Sequence, residues 1–269
     1  MPGTGAGARP GAPARTWRLV DMHCHLDRMA EPARIAEDAA AAGLAVFDVP
    51  VTPAESASAA GALSPFPNVR TGAGLHPWWL ADGSCSEADV DMLVQMAARS
   101  RFVGEVGLDF GKRFEGSRPV QEGAFRRLCA ALAENPVGGR AVSIHAVRAA
   151  GTVLDVLQEH GLTQTASCIF HWFSGTSDEL SRAREAGCFF SVNARMLQSR
   201  RGREYARQVP LPRLLLETDA PPELDTAYPA SAIVSELEGT LAQVARLRGM
   251  DARELGSLIA QTSTRLLGL

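Results

Sequence analysis

Asp21-Met22-His23-Cys24-His25 follows the short apolar lead Trp17-Arg18-Leu19-Val20, and together they read as a β-strand. Alternate side chains of a strand share a face. The spacing therefore predicts Asp21, His23 and His25 on one side, and Met22 and Cys24 on the other. Two imidazoles and a carboxylate at the end of a strand are the beginning of a metal site.

Outward from this motif, apolar strand-like runs recur at 19–23, 44–49, 69–73, 102–106, 141–145, 168–171, 188–192 and 214–218. Amphipathic helical stretches lie between them near 31–42, 54–62, 86–99, 119–134, 148–160, 176–186 and 200–208, and two more near 230–248 and 251–267 close the chain. Strands each followed by a helix predict an α/β chain folded as a single-domain (β/α)8 TIM barrel, with one helix to spare at the C-terminus. The rival, an open doubly wound sheet, announces itself by a Gly-rich phosphate turn after its first strand. Here that strand ends in histidines.

The chain has 269 residues and a formal net charge of -3, which suits one α/β domain and excludes a bulk nucleic-acid or membrane-surface binder. Any nucleic-acid contact has to come from a local basic patch. The Gly-, Pro- and Ala-rich start predicts a disordered tail over 1–16, leaving 17–269 as the barrel domain. That start has no apolar core of a secretory signal. Cys24, Cys85, Cys129, Cys168 and Cys188 are scattered singly, which fits reduced thiols and a cytoplasmic location. No apolar run is long enough to span a bilayer. Lys112 is the only lysine, read as coding bias.

Five of the six histidines, His23, His25, His76, His145 and His171, fall at or just beyond predicted strand C-termini. In a barrel those ends converge on one mouth, where active sites form. Glu105, ending the fourth strand, and Asp219, ending the eighth, fall at equivalent places. An unpaired carboxylate buried there is costly unless a cation offsets it. His23, His25, Glu105, His145, His171 and Asp219 exceed what one catalytic ion needs. They suit two divalent ions sharing a carboxylate. Glu105 is the natural bridge, with His23, His25 and Asp219 on one ion and His145 and His171 on the other. Four imidazoles favour zinc or manganese, and mixed sites also work with magnesium.

The segments DMHCH, GLHP (74–77), GEVGLDF (104–110), SIHAV (143–147), HWFSG (171–175) and ETDAP (217–221) resemble, in order, the TatD family of metal-dependent hydrolases. The resemblance runs from Val20 to Pro221. It implies a (β/α)8 barrel with a two-metal site, 3′→5′ DNA exonuclease activity, and the same six metal residues. Where the family often has Arg two residues after the fifth-strand histidine, this chain has Val147, with Arg148 next. Trp172 replaces the family's frequent Cys after the sixth-strand histidine, and the family's Arg/Asn/Pro segment is not recognisable in 225–229.

With Asp219 as the carboxylate ligand, Asp21 becomes a partner that holds the histidines. Glu217, two residues before Asp219, is expected to orient a ligand. His76 is open between touching substrate and bracing its loop, and Asp109 is read as holding a loop. Trp78, Trp79, Trp172 and Phe173 either stack bases or cap the core. Arg195, Arg200, Arg201, Arg203 and Arg207 either engage phosphate or form an exposed helix face. The reaction expected is hydrolysis of DNA or another phosphodiester, with Asp219 and Glu105 as catalytic carboxylates and Asp219 taking the water's proton. The same ions on a small amide, lactone or ester are the alternative, as is a barrel component of a multi-protein system. The oligomeric state stays open, with a monomer the simplest reading.

Overall fold

The computed structural model describes residues 16–223 and 227–269, so the expected tail, Thr16 apart, and part of the 225–229 segment lie outside the described residues. Among the described residues eight strands run in chain order: β1 (Leu19–Cys24), β2 (Leu44–Asp48), β3 (Val69–Thr71), β4 (Phe102–Asp109), β5 (Ala141–Val147), β6 (Ser167–His171), β7 (Phe189–Val192) and β8 (Leu214–Leu216). All pairings are parallel, in the orders β1-β2-β3 and β4-β5-β6-β7-β8. Backbone hydrogen bonds cross both seams. Ala73 N–H donates to Phe102 at 3.1 Å and Gly104 N–H to Ala73 at 3.0 Å, while Asp219 N–H donates to His23 at 2.9 Å and His25 N–H to Ala220 at 2.7 Å. The chain is a (β/α)8 barrel, as its strand–helix alternation predicts.

The helices are α1 (Pro32–Ala41), α2 (Pro53–Leu63), α3 (Pro77–Ala81), α4 (Glu87–Arg99), α5 (Arg118–Glu134), α6 (Ala150–Glu159), α7 (Leu162–Thr165), α8 (Ser177–Glu185), α9 (Arg200–Gln208), α10 (Ala230–Arg248) and α11 (Ala252–Leu267). Their starts follow local chemistry. Thr52, Thr176, Ser199 and Asp251 accept N–H groups of the first turns of α2, α8, α9 and α11. The short α3 and α7 were not expected, and α3 carries Trp78 and Trp79 beside the mouth. No helix among the described residues is long and apolar enough to cross a membrane.

Two apolar layers result. Val20, Met22, Phe47, Ile169, Phe189 and Leu215 fill the barrel, and Leu266 and Leu267 of α11 pack against them at the strand N-termini. A larger layer, with Leu19, Cys24 and Val46, lies between strands and helices. The alternation expected for the opening motif therefore fails: Met22 faces the inner core and Cys24 the outer layer. The pairing of β1 with β2 shifts register between Asp21 and Cys24, which turns the end of the strand.

β4 also runs three residues past its expected end. A Cβ at Gly107 would lie 2.0 Å from the carbonyl oxygen of His145, and its φ is +140°. The glycine lets β4 approach β5 closely and continue to Asp109.

Candidate metal centre

Strand C-termini surround a cavity of about 650 Å³ lined by His25, His76, Glu105, His145, His171 and Asp219, with Trp78, Trp172 and Arg195 around them. His23 lies beneath it, wholly buried. The six predicted ligands come together. Arg148 does not join them: it is exposed, at φ +53°, while Val147 lines the cavity.

Glu105 organises the group by facing different histidines with its two oxygens. Oε2 lies 3.5 Å from Nε2 of both His23 and His25. Oε1 lies 2.9 Å from His171 Nε2, 3.0 Å from His145 Nδ1 and 3.3 Å from His76 Nε2. Asp219 Oδ1 completes the first set, 3.7 Å from His23 Nε2 and 3.4 Å from His25 Nε2.

The first set fits a cation better than it fits itself. Its N···O separations of 3.4–3.7 Å are long for hydrogen bonds. Donors about 2.1 Å from one tetrahedral ion stand ~3.4 Å apart. Nε2 of His23 is buried with no hydrogen-bond partner. Such an unpartnered buried nitrogen, facing two carboxylates, is what a cation would satisfy once the ring presents its lone pair.

Partners on the far side of each ring assign the tautomers. His25 Nδ1 donates to the Val49 carbonyl at 2.8 Å, which in the neutral ring leaves Nε2 as a lone pair facing Glu105 and Asp219. His23 Nδ1 is 2.7 Å from Ser143 Oγ, a hydroxyl that can donate or accept and so fits either tautomer. His145 Nε2 lies 3.2 Å from Asp109 Oδ2, so Nδ1 faces Glu105. His76 is the exception. Its Nδ1 accepts the Trp78 N–H at 3.2 Å, so in the neutral ring Nε2 carries the proton toward Glu105. His76 is a donor at this site, not a ligand through Nε2.

Electrostatics follow burial and neighbours. Burial penalises the Glu105 charge, but the surrounding His76, His171 and His23 hold its carboxyl well below the usual range. Burial likewise opposes Asp219, and the neighbouring His25, His171 and His23 overcome it, so Asp219 stays ionised. His25 is disfavoured as a cation by burial, yet Asp219 and Glu105 raise it to about 9. Burial also opposes charge on His171, and Glu105 pushes it well up. His23 is lowered by burial and by His171, and burial takes His76 down to about 4.

Other predicted residues have more local duties. Asp21 does not reach an imidazole. Its carboxylate accepts the backbone N–H of His23 at 3.2 Å and of Thr218 at 3.0 Å, and the Thr218 hydroxyl at 2.5 Å. It pins β1 to the chain after β8, because the register shift turns it away from the cavity. Glu217, fully buried, takes the Ser191 hydroxyl, the Asn193 amide at 2.8 Å and the Trp172 N–H at 3.1 Å, and lies 3.7 Å from His171 Nδ1. Trp172 and Asp219 both adopt positive φ, 39° and 58°, at the ends of their strands. Such conformations persist where the surroundings fix them and gather at functional sites.

Asp109 holds its loop as expected, with Oδ1 accepting the Gly111 N–H at 2.7 Å, and it also reaches the site: Oδ2 accepts the Trp78 indole N–H at 2.6 Å and faces His145, so one carboxylate orients an imidazole and an aromatic. The signal was available: Glu105 and Asp109 are four residues apart, hence on one face of a strand that continues through Gly107.

Residues 20–268 match the family model described as TatD related DNase. The chain is 32% identical over 206 residues to the 3'-5' ssDNA/RNA exonuclease TatD of Erwinia tasmaniensis, covering 73% of this chain and 77% of that protein. It is 26% identical over 266 residues to the human deoxyribonuclease TATDN3, covering 92% and 94%. Among solved structures, a TatD homologue from Escherichia coli K12 superposes with a TM-score of 0.76 at 23% identity, over 94% of this chain and 98% of that one. The chain belongs to the TatD-related DNase family.

Proposed function

We propose that this protein is a divalent-metal-dependent phosphodiesterase that removes nucleotides from the 3′ end of nucleic acid. One observation carries the reading: Glu105 offers each oxygen to a different group of imidazoles, the arrangement needed to bridge two cations. On this reading His23, His25 and Asp219 would hold one ion, His145 and His171 the other, and Glu105 would serve both. Imidazole-rich donors favour zinc or manganese. The relatives named as exonuclease and deoxyribonuclease support nucleic acid as substrate.

Bound divalent ions supply charge that activates water and offsets the charge developing on a phosphoryl group. The chain's own residues do the rest. Asp219, ionised and at the rim, accepts the proton of the attacking water while staying in place beside His25. His76, neutral at pH 7, presents an N–H toward the space beside Glu105, where a phosphoryl oxygen would accept it. Asp109 and the Val49 carbonyl keep His145 and His25 turned with the correct nitrogen inward.

The test is metal analysis of the purified protein followed by a metal-supplemented assay on 3′-labelled single-stranded DNA. His171→Ala and Asp219→Ala should each lose at least about 100-fold in rate, because metal stabilisation of such transition states is worth several kcal/mol and ~1.4 kcal/mol is tenfold. Undiminished cleavage in either variant would remove this site from consideration. Turnover of small esters or amides with no nuclease activity would point to a different substrate on the same ions.

A further inference from the structure

We propose that Arg195 is the residue that grips the substrate's phosphate, making it the determinant of anionic substrates at this cavity; the inference rests on the phosphodiesterase reading above.

Arg195 follows β7 and lines the cavity. Its guanidinium stands 5.8 Å over the Trp172 ring, and its side chain keeps 40% of its exposure. Its one acidic neighbour among the described residues is Asp219, with Nη1 3.6 Å from Oδ2. That separation is beyond a hydrogen bond. An arginine whose task was to brace Asp219 would bond it. Arg195 instead presents its N–H fork to the cavity with no acceptor among the described residues.

Of the other arginines that follow β7, Arg203 donates to the carbonyls of Leu197 and Gln198 and Arg207 pairs with Glu204, while Arg200 and Arg201 are exposed on α9 and do not line the cavity. Arg28, the other arginine lining the cavity, is half as exposed, at 20% of its side chain, and faces Glu55 at 3.4 Å, away from Asp219. Arg195 is thus the more exposed cavity arginine and the one beside Asp219, the carboxylate that would help hold a cation. A planar fork with paired N–H groups matches two oxygens of one phosphate.

Its place is set in advance. Asn193 Oδ1 accepts the Met196 N–H at 2.8 Å, fixing the turn that carries Arg195. The Asn193 amide donates to Glu217 Oε1 at 2.8 Å, and the same oxygen accepts the Trp172 N–H at 3.1 Å. One buried carboxylate therefore holds both the arginine's turn and the indole beneath it. A clamp whose position is already fixed loses less on binding.

The experiment compares wild type, Arg195→Ala and Arg195→Lys, all metal-loaded, on a 3′-labelled single-stranded oligonucleotide across a series of salt concentrations. Arg195→Ala should raise KM about tenfold or more and flatten the dependence of log kcat/KM on log salt by about 0.7, the effect of one phosphate contact on a single strand. Arg195→Lys should keep the salt slope with an intermediate KM, since it keeps the charge and loses the fork. Metal content and Tm should match wild type in both. Arg195→Ala with unchanged KM and salt slope, on an active wild type, overturns the inference alone. So does a loss of kcat accompanied by lost metal, which would make Arg195 a brace for Asp219. A metal-loaded wild type without activity on the oligonucleotide overturns the phosphodiesterase reading as well.

Discussion

At the scale of single residues, the site is a competition between burial and mutual charge. His25 shows it most directly. Burial disfavours its cation, but Asp219 and Glu105 raise its pKa to about 9, so without a bound ion it is protonated near pH 7.5. A ligand histidine must be neutral, so a cation has to displace that proton. Metal affinity should therefore rise with pH up to about pH 9, by about tenfold per unit for each proton released. Calorimetric titration in buffers of different ionisation enthalpy measures the protons directly, and a buffer-independent heat would contradict this account. The same sign governs the ion-free fold: the contribution of the His25 pair is full below about pH 6.5, its ordinary pKa, and fades as pH passes 9.

Secondary elements were legible to the extent that their signals were local. The helix expected at 200–208 is α9, and the one expected at 230–248 is α10, because caps and 3.6-residue periodicity depend on near neighbours in the chain. The six residues converge because each sits at a strand end, which the alternation of strands and helices locates without any contact information. What was missed depends on other strands: the register shift that reverses Met22 and Asp21, and the close approach at Gly107 that carries β4 on to Asp109. Arg140 is a third case, since nothing local distinguishes it from a surface arginine. It precedes β5 at 2% exposure, and its guanidinium donates to the carbonyls of Ala97, Ala98 and Ser100 at the end of α4, and of Leu132 and Asn135 at the end of α5. It caps two helices at once. Arg140→Ala leaves those carbonyls buried without donors and should cost at least about 3 kcal/mol, at roughly 1–3 kcal/mol for each unsatisfied group that water does not reach. Arg140→Lys should recover little, because an ammonium has fewer donors and no fork. Urea unfolding of the two variants measures both effects; equal midpoints with wild type would show that the ends of α4 and α5 do not need this cap.

For the whole molecule, the proposed cation site and the fold would be one system. β1, β4, β5 and β6 contribute His23, Glu105, His145 and His171, and the ends of β1 and β8 contribute His25 and Asp219, so the donor set spans both sheets and the seam where β8 meets β1. An ion held there joins strands that are far apart in the chain. Because the unfolded chain cannot assemble that set, the ion binds the folded state alone and stabilises it by mass action, by about 2.7 kcal/mol at a free concentration one hundred times Kd. For a chain of this size that is a rise in Tm of roughly 5–10 °C. The inner core, filled by Phe47, Met22 and Ile169 and closed by Leu266 and Leu267, does not include the donor residues. Chelation should therefore lower Tm without unfolding the barrel at room temperature. Removing Glu105, the carboxylate proposed to be shared, should abolish the metal-dependent rise altogether, whereas His171→Ala should retain the part due to the ion proposed at His23, His25 and Asp219. Differential scanning calorimetry with and without zinc or manganese, on wild type, Glu105→Gln and His171→Ala, separates these cases. Equal metal-induced shifts in all three proteins would mean that the cation binds elsewhere.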